Sequence, residues 1–295
     1  MKNFFYYNPN FEYEEIFSDW DWPWAGHKFF IYDFIRNLKP KVIVELGTHK
    51  GTSFFSMCQA VKDGKLKTKL YAIDTWKGDK HTGFYDESIF KEVNFIKNKY
   101  YPKQNIYFIR KFFDEAVFGF KNNSIDLLHI DGLHTYKAVK HDFETWFNKV
   151  KKDGIILFHD THEKKDDFGV YKLWEKLKNK FKSVDFFHSH GLGVLFKNKT
   201  IYQEIFKFNF PQIWPYYYFL KYLEKTNNEI KNLEKLSSLQ SKISDLQNQI
   251  KNQQSHIQSL ETQLNTIKSA KFFRLWQSYC RIRDKILEKI NENKK

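Results

Sequence analysis

KVIVELGTHKG occupies residues 41–51 and joins an apolar run to a turn that contains Gly47 and Gly51. Such a pattern is typical of a buried parallel strand that leads through a glycine turn into a helix. In open α/β sheets this junction lies at the carboxyl edge of the strands, where nucleotide-like ligands bind. The segment therefore predicts an α/β fold with a ligand site beside this turn.

The same turn limits the chemistry of the ligand. A dinucleotide fingerprint needs Gly-x-Gly-x-x-Gly, and this loop lacks the first pair of glycines. Glu45 would repel a phosphate but can meet a cationic group or a hydroxyl. A second apolar run, residues 70–74, ends in Asp74, at the position where a ribose diol is usually bound. Together these acids predict a nucleoside ligand without phosphate, and S-adenosyl-L-methionine fits that description.

Four segments resemble, in order and spacing, a class I S-adenosylmethionine-dependent methyltransferase of the branch often found in bacterial glycan and macrolide-sugar biosynthesis. They are VELGTHKGTSFF at 44–55, YAIDTW at 71–76, IDLLHIDGLHTYKAVKHDF at 125–143 and GIILFHDTH at 154–162. The resemblance implies O-methylation of a sugar hydroxyl on a glycan, a nucleotide sugar or a glycosylated metabolite. It implies a cofactor-binding set of Glu45, Gly47, Thr48, Gly51, Asp74 and Thr75.

Alternating strand and helix patterns predict a doubly wound, mostly parallel seven-stranded sheet with an antiparallel edge. The predicted strands are residues 41–46, 70–74, 105–110, 125–130 and 154–159, followed by a hairpin at 184–188 and 192–197. The predicted domains are an aromatic cap at 1–40, which contains Trp20, Trp22 and Trp24, a methyltransferase domain at 41–200, an aromatic connector at 201–224, a coiled coil at 225–270 and a basic tail at 271–295.

Two aspartates follow apolar strands and are expected to converge. Asp131 follows residues 125–130 and Asp160 follows residues 154–159. Paired carboxylates repel each other unless a divalent cation lies between them, which predicts a metal site that lowers the pKa of a substrate hydroxyl. In the metal-dependent relatives that this chain resembles, an acid commonly precedes the second aspartate. That position is His159 here, which makes it the third candidate ligand, with Mg²⁺ as the preferred ion.

His134, within DGLHTY, is the candidate general base, because an imidazole can accept a hydroxyl proton near neutral pH. Asp131 is the second catalytic candidate. Other interpretations stay open at this stage: His134 could ligate the metal, Glu45 could cap the following helix, and Asp160 could cap a turn. A non-catalytic binding module on the same fold is a further alternative.

The C-terminal region carries a heptad pattern. Apolar residues step by four and three from Leu239 to Ile267, interrupted by Gln253. Ile at most a positions with Leu at most d positions favours self-association as a parallel dimer, with a trimer as the alternative. This stalk suggests a second function, that of a membrane-peripheral assembly component that terminates a polysaccharide chain.

The tail at 271–290 combines aromatic and basic residues at helical spacing. An anionic membrane surface or packing against the rest of the chain would both explain it. The formal net charge is +14, but the basic residues are mostly Lys and are spread along the chain, so we expect no nucleic acid partner. Two distant cysteines and the lack of an apolar leader predict a cytoplasmic protein, peripheral to the inner face of a membrane if the tail binds lipid.

Overall fold

In the computed structural model, which describes residues 4–16, 23–206 and 210–292, a seven-stranded sheet lies within the first of two units, Met1–Lys225. In chain order the strands are β1 Val42–Leu46, β2 Lys69–Ile73, β3 Gly78–Asp79, β4 Gly83–Phe84, β5 Asn105–Ile109, β6 Ile125–Ile130, β7 Val150–His159, β8 Lys182–Phe186 and β9 Leu192–Phe196. The sheet order is β5-β2-β1-β6-β7-β9-β8, and β9 is antiparallel to both of its neighbours. The predicted fold class is confirmed.

Two short strands, β3 and β4, form a separate antiparallel hairpin that the sequence analysis did not predict. Each is two residues long and contains a glycine, so neither shows the alternating apolar pattern that identifies a strand. This hairpin matters because it lies beside the site described below.

Helices cover both faces of the sheet. They are α1 Lys28–Leu38, α2 Thr52–Asp63, α3 Glu87–Tyr100, α4 Phe113–Ala116, α5 Tyr136–Trp146, α6 Val170–Lys178 and α7 Lys199–Phe206. Side chains cap the amino ends of α3 and α5. Asp86 accepts a hydrogen bond from the Ser88 amide, and Thr135 accepts one from the Ala138 amide. Apolar side chains on these helices and on the strands form two buried clusters.

The strand order positions the site. β1 pairs with β2 on one side and with β6 on the other, in parallel on both sides. The strands are therefore added on both sides of β1, and the connecting helices diverge at the carboxyl end of β1. A crevice opens at that point, and the loops after β1, β2, β6 and β7 surround it.

A buried carboxyl joins the N-terminal segment to the start of helix α8, Phe210–Ser269. Asp33, on α1, is 1% exposed and accepts hydrogen bonds from the Tyr217 hydroxyl at 2.7 Å and the Tyr7 amide at 3.0 Å. Burial raises the pKa of Asp33 to about 7, although both hydrogen bonds oppose that change.

Residues 210–223, within the predicted connector, are helical. Of the predicted cap tryptophans, Trp20 and Trp22 lie outside the described residues.

The second unit, Thr226–Lys295, consists of the remainder of α8 and of helix α9, Lys271–Glu292. The apolar heptad side chains between Leu239 and Ile267 are between 47% and 57% exposed in the single chain. Among the helices that the structure describes, none is both long and apolar enough to cross a membrane.

Candidate active site

Two adjoining cavities lie at the carboxyl ends of β1, β2, β6 and β7. The first has a volume of about 440 Å³ and the second of about 230 Å³. Both are lined by Gly47, His49, Thr82 and Asp131, so these residues mark the place where the cavities meet. Of the predicted cofactor residues, Asp74 and Thr75 line only the first cavity, whereas Thr48 and Gly51 line only the second.

Gly47 allows the loop after β1 to contact the loop after β6. Its φ is +86°, in the left-handed region, and a Cβ at this position would lie 2.1 Å from the carbonyl oxygen of Asp131. A side chain here would therefore push the two loops apart, and only glycine meets both requirements. The backbone amide of Asp131 donates to the Leu46 carbonyl at 2.9 Å, which holds the same contact from the other side.

Asp74 shapes the turn that follows β1. One carboxylate oxygen accepts hydrogen bonds from the amides of Thr48 and His49, both at 2.9 Å, and the other accepts from the Trp76 amide at 2.7 Å. The carboxylate also lines the first cavity. It therefore fixes the turn and presents acceptor oxygens to a ligand at the same time.

Glu45 lies behind the cavities and lines neither of them. Its side chain is fully buried, and Oε1 accepts hydrogen bonds from Ser53 Oγ at 2.5 Å and His129 Nδ1 at 2.9 Å. On the other side of the His129 ring, Nε2 lies 3.1 Å from Trp24 Nε1. An indole N–H only donates, so Nε2 is the acceptor and Nδ1 carries the hydrogen. Through His129, Glu45 holds Trp24, which forms a wall of the second cavity. Its Oε2 is buried and has no hydrogen-bond partner among the described residues, and its direct contact with the cofactor stays a prediction.

Asp131, His134 and Asp160 converge as the order of the strands predicts. One potential ligand atom from each lies within 4.8 Å of the others. His134 Nδ1 lies 3.0 Å from Asp160 Oδ2, and both side chains are largely buried. Asp160 adopts a φ of +60°, an uncommon conformation for a residue other than glycine, and it turns the chain immediately after β7.

His159 takes a different place from the predicted one. Its Nε2 lies 3.2 Å from the Ser189 carbonyl oxygen and its Nδ1 lies 3.3 Å from Asp131 Oδ1. Burial alone would lower the pKa of His159, but the charges of Asp160 and Asp131 raise it well above its ordinary value. Each ring nitrogen thus lies near a protein oxygen, that of the Ser189 carbonyl or that of the Asp131 carboxylate. The ligand atoms that converge within 4.8 Å belong to Asp131, His134 and Asp160, and His159 as the third ligand stays a prediction.

The pKa values of Asp131 and Asp160 shift downward, opposite to the shift of His159. Burial would raise their pKa values, but the neighbouring His159 charge outweighs it and holds the pKa of Asp131 and of Asp160 below the ordinary range. The His190 side chain, which lines the second cavity, lies 3.4 Å from Asp160 and adds to this effect. Both carboxylates are therefore ionised at neutral pH.

Sequence reasoning missed the side chains that cover the second cavity. Phe168 stacks on the ring of His134 at 4.8 Å and on that of His81 at 4.6 Å. His81, on the hairpin between β3 and β4, pairs with Asp167 at 2.5 Å, and Lys80 pairs with the same carboxylate. Lys80 and His81 lie 87 and 86 positions from Asp167 along the chain, and no local pattern indicates such pairing.

The approach of the two loops at Gly47 can be tested by adding one methyl group. Gly47→Ala should lower the free energy of unfolding by about 3 kcal/mol or more, since it combines backbone strain of about 1–2 kcal/mol with a steric clash. Gly83→Ala is the matched control, because its φ is +81° and no atom lies within 4 Å of the added Cβ. It should show the strain alone. Equal losses for the two variants in urea unfolding would contradict the proposed contact.

Comparison with known proteins agrees with this arrangement. Residues 44–161 match the family described as "Methyltransferase domain". The chain is 43% identical over 178 residues to an uncharacterised protein of Sinorhizobium fredii, covering 60% of this chain and 19% of that protein. It is 34% identical over 121 residues to an uncharacterised protein of Acanthamoeba polyphaga mimivirus, covering 40% and 50%. The matches thus span about a fifth and a half of these relatives.

Among solved structures, a methyltransferase from Geobacter sulfurreducens aligns with a TM-score of 0.46 and 13% identity, over 62% of this chain and 86% of that one. The family match covers the turns after β1, β2 and β6 and the three aspartates Asp74, Asp131 and Asp160, whereas Trp24, Phe168 and His190 of the second cavity lie outside it. By that match, residues 44–161 are similar to the methyltransferase-domain family.

Proposed function

We propose that this protein transfers the methyl group of S-adenosylmethionine to a hydroxyl group. The observation that carries the proposal is the meeting of two cavities at Gly47 and Asp131. Methyl transfer needs a donor and an acceptor in line at one point, each held by its own set of residues. Two separate cavities that share one short boundary meet that requirement.

The first cavity has the features of a cofactor site. Asp74 offers carboxylate oxygens to the ribose hydroxyls, and Thr75 follows it along the cavity wall. Phe112 and Phe113 supply aromatic surface for a purine ring. The volume of about 440 Å³ lies within the range of ordinary small-molecule sites.

His134 is the general base in this proposal. Its Nδ1 lies 3.0 Å from Asp160 Oδ2, so the proposal places the ring hydrogen on Nδ1 and the lone pair on Nε2, where it accepts a proton from the acceptor hydroxyl as the methyl group transfers. The carboxylate of Asp160 orients the ring and stabilises the imidazolium that forms. Stacking on Phe168 fixes the plane of the ring.

A divalent metal fits the same residues. Two largely buried carboxylates and one imidazole, with ligand atoms within 4.8 Å of one another, form a suitable donor set. Such a mixed set suits Mn²⁺ or Zn²⁺ at least as well as the predicted Mg²⁺, which prefers oxygen ligands. A metal held there would lower the pKa of the acceptor hydroxyl. His134 would then be a ligand, so the metal and general-base roles are alternatives.

The acceptor is a sugar hydroxyl on a glycan, a nucleotide sugar or a glycosylated metabolite. The second cavity combines the aromatic rings of Trp24 and Phe168 with several polar side chains, among them Lys50, His81 and His190. Aromatic faces pack against the C–H faces of a sugar ring, while the polar groups bind its hydroxyls. The resemblance to glycan-modifying methyltransferases supports the same class.

The binding of S-adenosylhomocysteine by calorimetry tests the cofactor site. Wild type should bind it, and Asp74→Asn should bind it about tenfold or more weakly, because a charged acceptor for the ribose is lost. Asp153→Asn is the control, since Asp153 is exposed near the amino end of β7. If wild type fails to bind the ligand with or without divalent metal, the proposal is wrong.

The same proteins separate the two roles of His134 when product formation is followed over a set of nucleotide sugars. His134→Gln should retain cofactor affinity and react about a hundredfold or more slowly. A chelator should stop the wild-type reaction if His134 ligates a metal and leave it unchanged if His134 is the base. Undiminished turnover by His134→Gln would contradict both roles.

The second candidate function is that of an assembly component of polysaccharide synthesis, organised by its stalk. The observation that favours it is the exposed apolar heptad face between Leu239 and Ile267. A helix with such a face is stabilised when the face packs against a second copy, and Ile at a with Leu at d favours a parallel dimer. Gln253 at a d position would fix the register.

Substitutions on the heptad face test this self-association. Leu246→Lys combined with Ile250→Lys should convert a dimer into a monomer in sedimentation velocity, because it buries two charges in the interface. Asn248→Lys combined with Asn252→Lys adds the same charge at positions outside the apolar seam and should leave the dimer intact. A wild-type monomer at micromolar concentration would exclude the stalk as a dimerisation element.

The tail is proposed to bind an anionic membrane surface. Trp276, Tyr279, Ile282 and Ile286 are each more than half exposed on α9, and arginines and lysines lie among them. The protein should therefore pellet with phosphatidylserine vesicles, less with phosphatidylcholine vesicles, and less at high salt. Trp276→Ser should weaken the binding. A protein that stays in the supernatant with anionic vesicles would contradict the proposal.

A further inference from the structure

A buried carboxyl without a partner lies in the wall of the first cavity. Asp142, on α5, is 7% exposed and lines that cavity. Within the part of the chain that the structure describes, no hydrogen bond or ion pair joins it to another residue. His141 and Asp114, the charged groups that influence its pKa, pair with each other at 2.7 Å. A carboxyl in this state costs free energy unless water or a ligand satisfies it.

The position of Asp142 along the cavity indicates which part of a ligand it meets. The transferred methyl group must lie where the cavities join, at Gly47 and Asp131, and the ribose lies at Asp74. Asp142 lines only the first cavity, together with Phe112, Phe113, Leu133 and Ala138, which also line that cavity alone. This end therefore remains for the adenine ring, which has flat apolar faces and a polar edge.

Gly132 keeps this end of the cavity open. A Cβ at this position would lie 2.5 Å from the Phe113 ring and 3.5 Å from Asp142 Oδ2. The glycine backbone thus lies between an aromatic ring and a carboxyl, with room for a flat group and an acceptor at its edge. Burial raises the pKa of Asp142 to about 7, as expected for a carboxyl with no compensating donor in the protein.

We infer that Asp142 accepts a hydrogen bond from the exocyclic amino group of adenine and so selects adenosine over inosine forms of the cofactor. The inference rests on the proposed function and names a specificity residue for the same site. Inosine carries a carbonyl oxygen where adenosine carries the amino group. A carboxylate attracts an amino group and repels a carbonyl oxygen at that point.

Calorimetry on the full chain at pH 8 with S-adenosylhomocysteine and S-inosylhomocysteine tests the inference. Wild type should prefer the adenosine form by about tenfold or more. Asp142→Asn should bind the inosine form more tightly than wild type does and lose most of the preference, because an amide can donate to the carbonyl oxygen. Glu144→Gln removes one negative charge from the same helix at an exposed position and should keep the wild-type preference.

Thermal unfolding supplies a second readout. A raised pKa means that Asp142 costs stability once pH exceeds its unfolded pKa near 4, and that the cost is complete above about 7. Asp142→Asn should therefore melt at a higher temperature than wild type at pH 8, and the difference should shrink at pH 4.5. A lower melting temperature at pH 8 would overturn the inference, because it would give Asp142 a structural role.

The binding outcomes separate this inference from the function on which it rests. If wild type binds S-adenosylhomocysteine and Asp142→Asn keeps the full preference, the inference is wrong and the proposed function stands. If wild type binds neither compound, the proposed function fails and the inference fails with it.

Discussion

The buried carboxylate of Glu45 in the central strand is the constraint on which the site depends. A buried carboxyl costs free energy unless hydrogen bonds replace its water. Ser53, in the first turn of α2, and His129, on the adjacent strand β6, both hydrogen-bond to its Oε1. The same His129 accepts from Trp24. One buried carboxyl thereby connects β1, α2, β6 and the N-terminal segment, which together surround the second cavity.

Most of the fold and part of the site follow from sequence for a physical reason. Strands buried on both faces appear as continuous apolar runs, and parallel order brings their carboxyl ends to one edge. Asp74, Asp131 and Asp160 each come immediately after the last residue of a strand, so all three reach the crevice. Their convergence was predictable from the strand order alone.

Glu45 and His159 make contacts that the sequence did not predict, because each belongs to its strand and not to the loop after it. Glu45 pairs in register with Ala72 and His129 and so faces the interior of the sheet beside the histidine that binds it. His159 is the last residue of β7 and pairs with Leu192. A shift of one residue along a strand reverses the direction of a side chain, and the sequence alone does not define where pairing ends. The contacts of His81 and Phe168 join distant loops, which periodicity cannot detect.

The surroundings shift the pKa values of the acids at this edge of the sheet in opposite directions. His159 lies beside Asp131 and Asp160 and lowers the pKa of both, whereas Asp142 has no cation of its own and its pKa is raised. In the proposed function the two opposite pKa shifts suit two different parts of the ligands. The ionised pair lies at the acceptor cavity, where a sulfonium cation and a departing hydroxyl proton both favour negative charge. The less acidic Asp142 lies at the opposite end, where the ligand is a neutral purine. In that proposal, environment and not residue type separates a carboxylate that stabilises charge from one that recognises a hydrogen-bond donor.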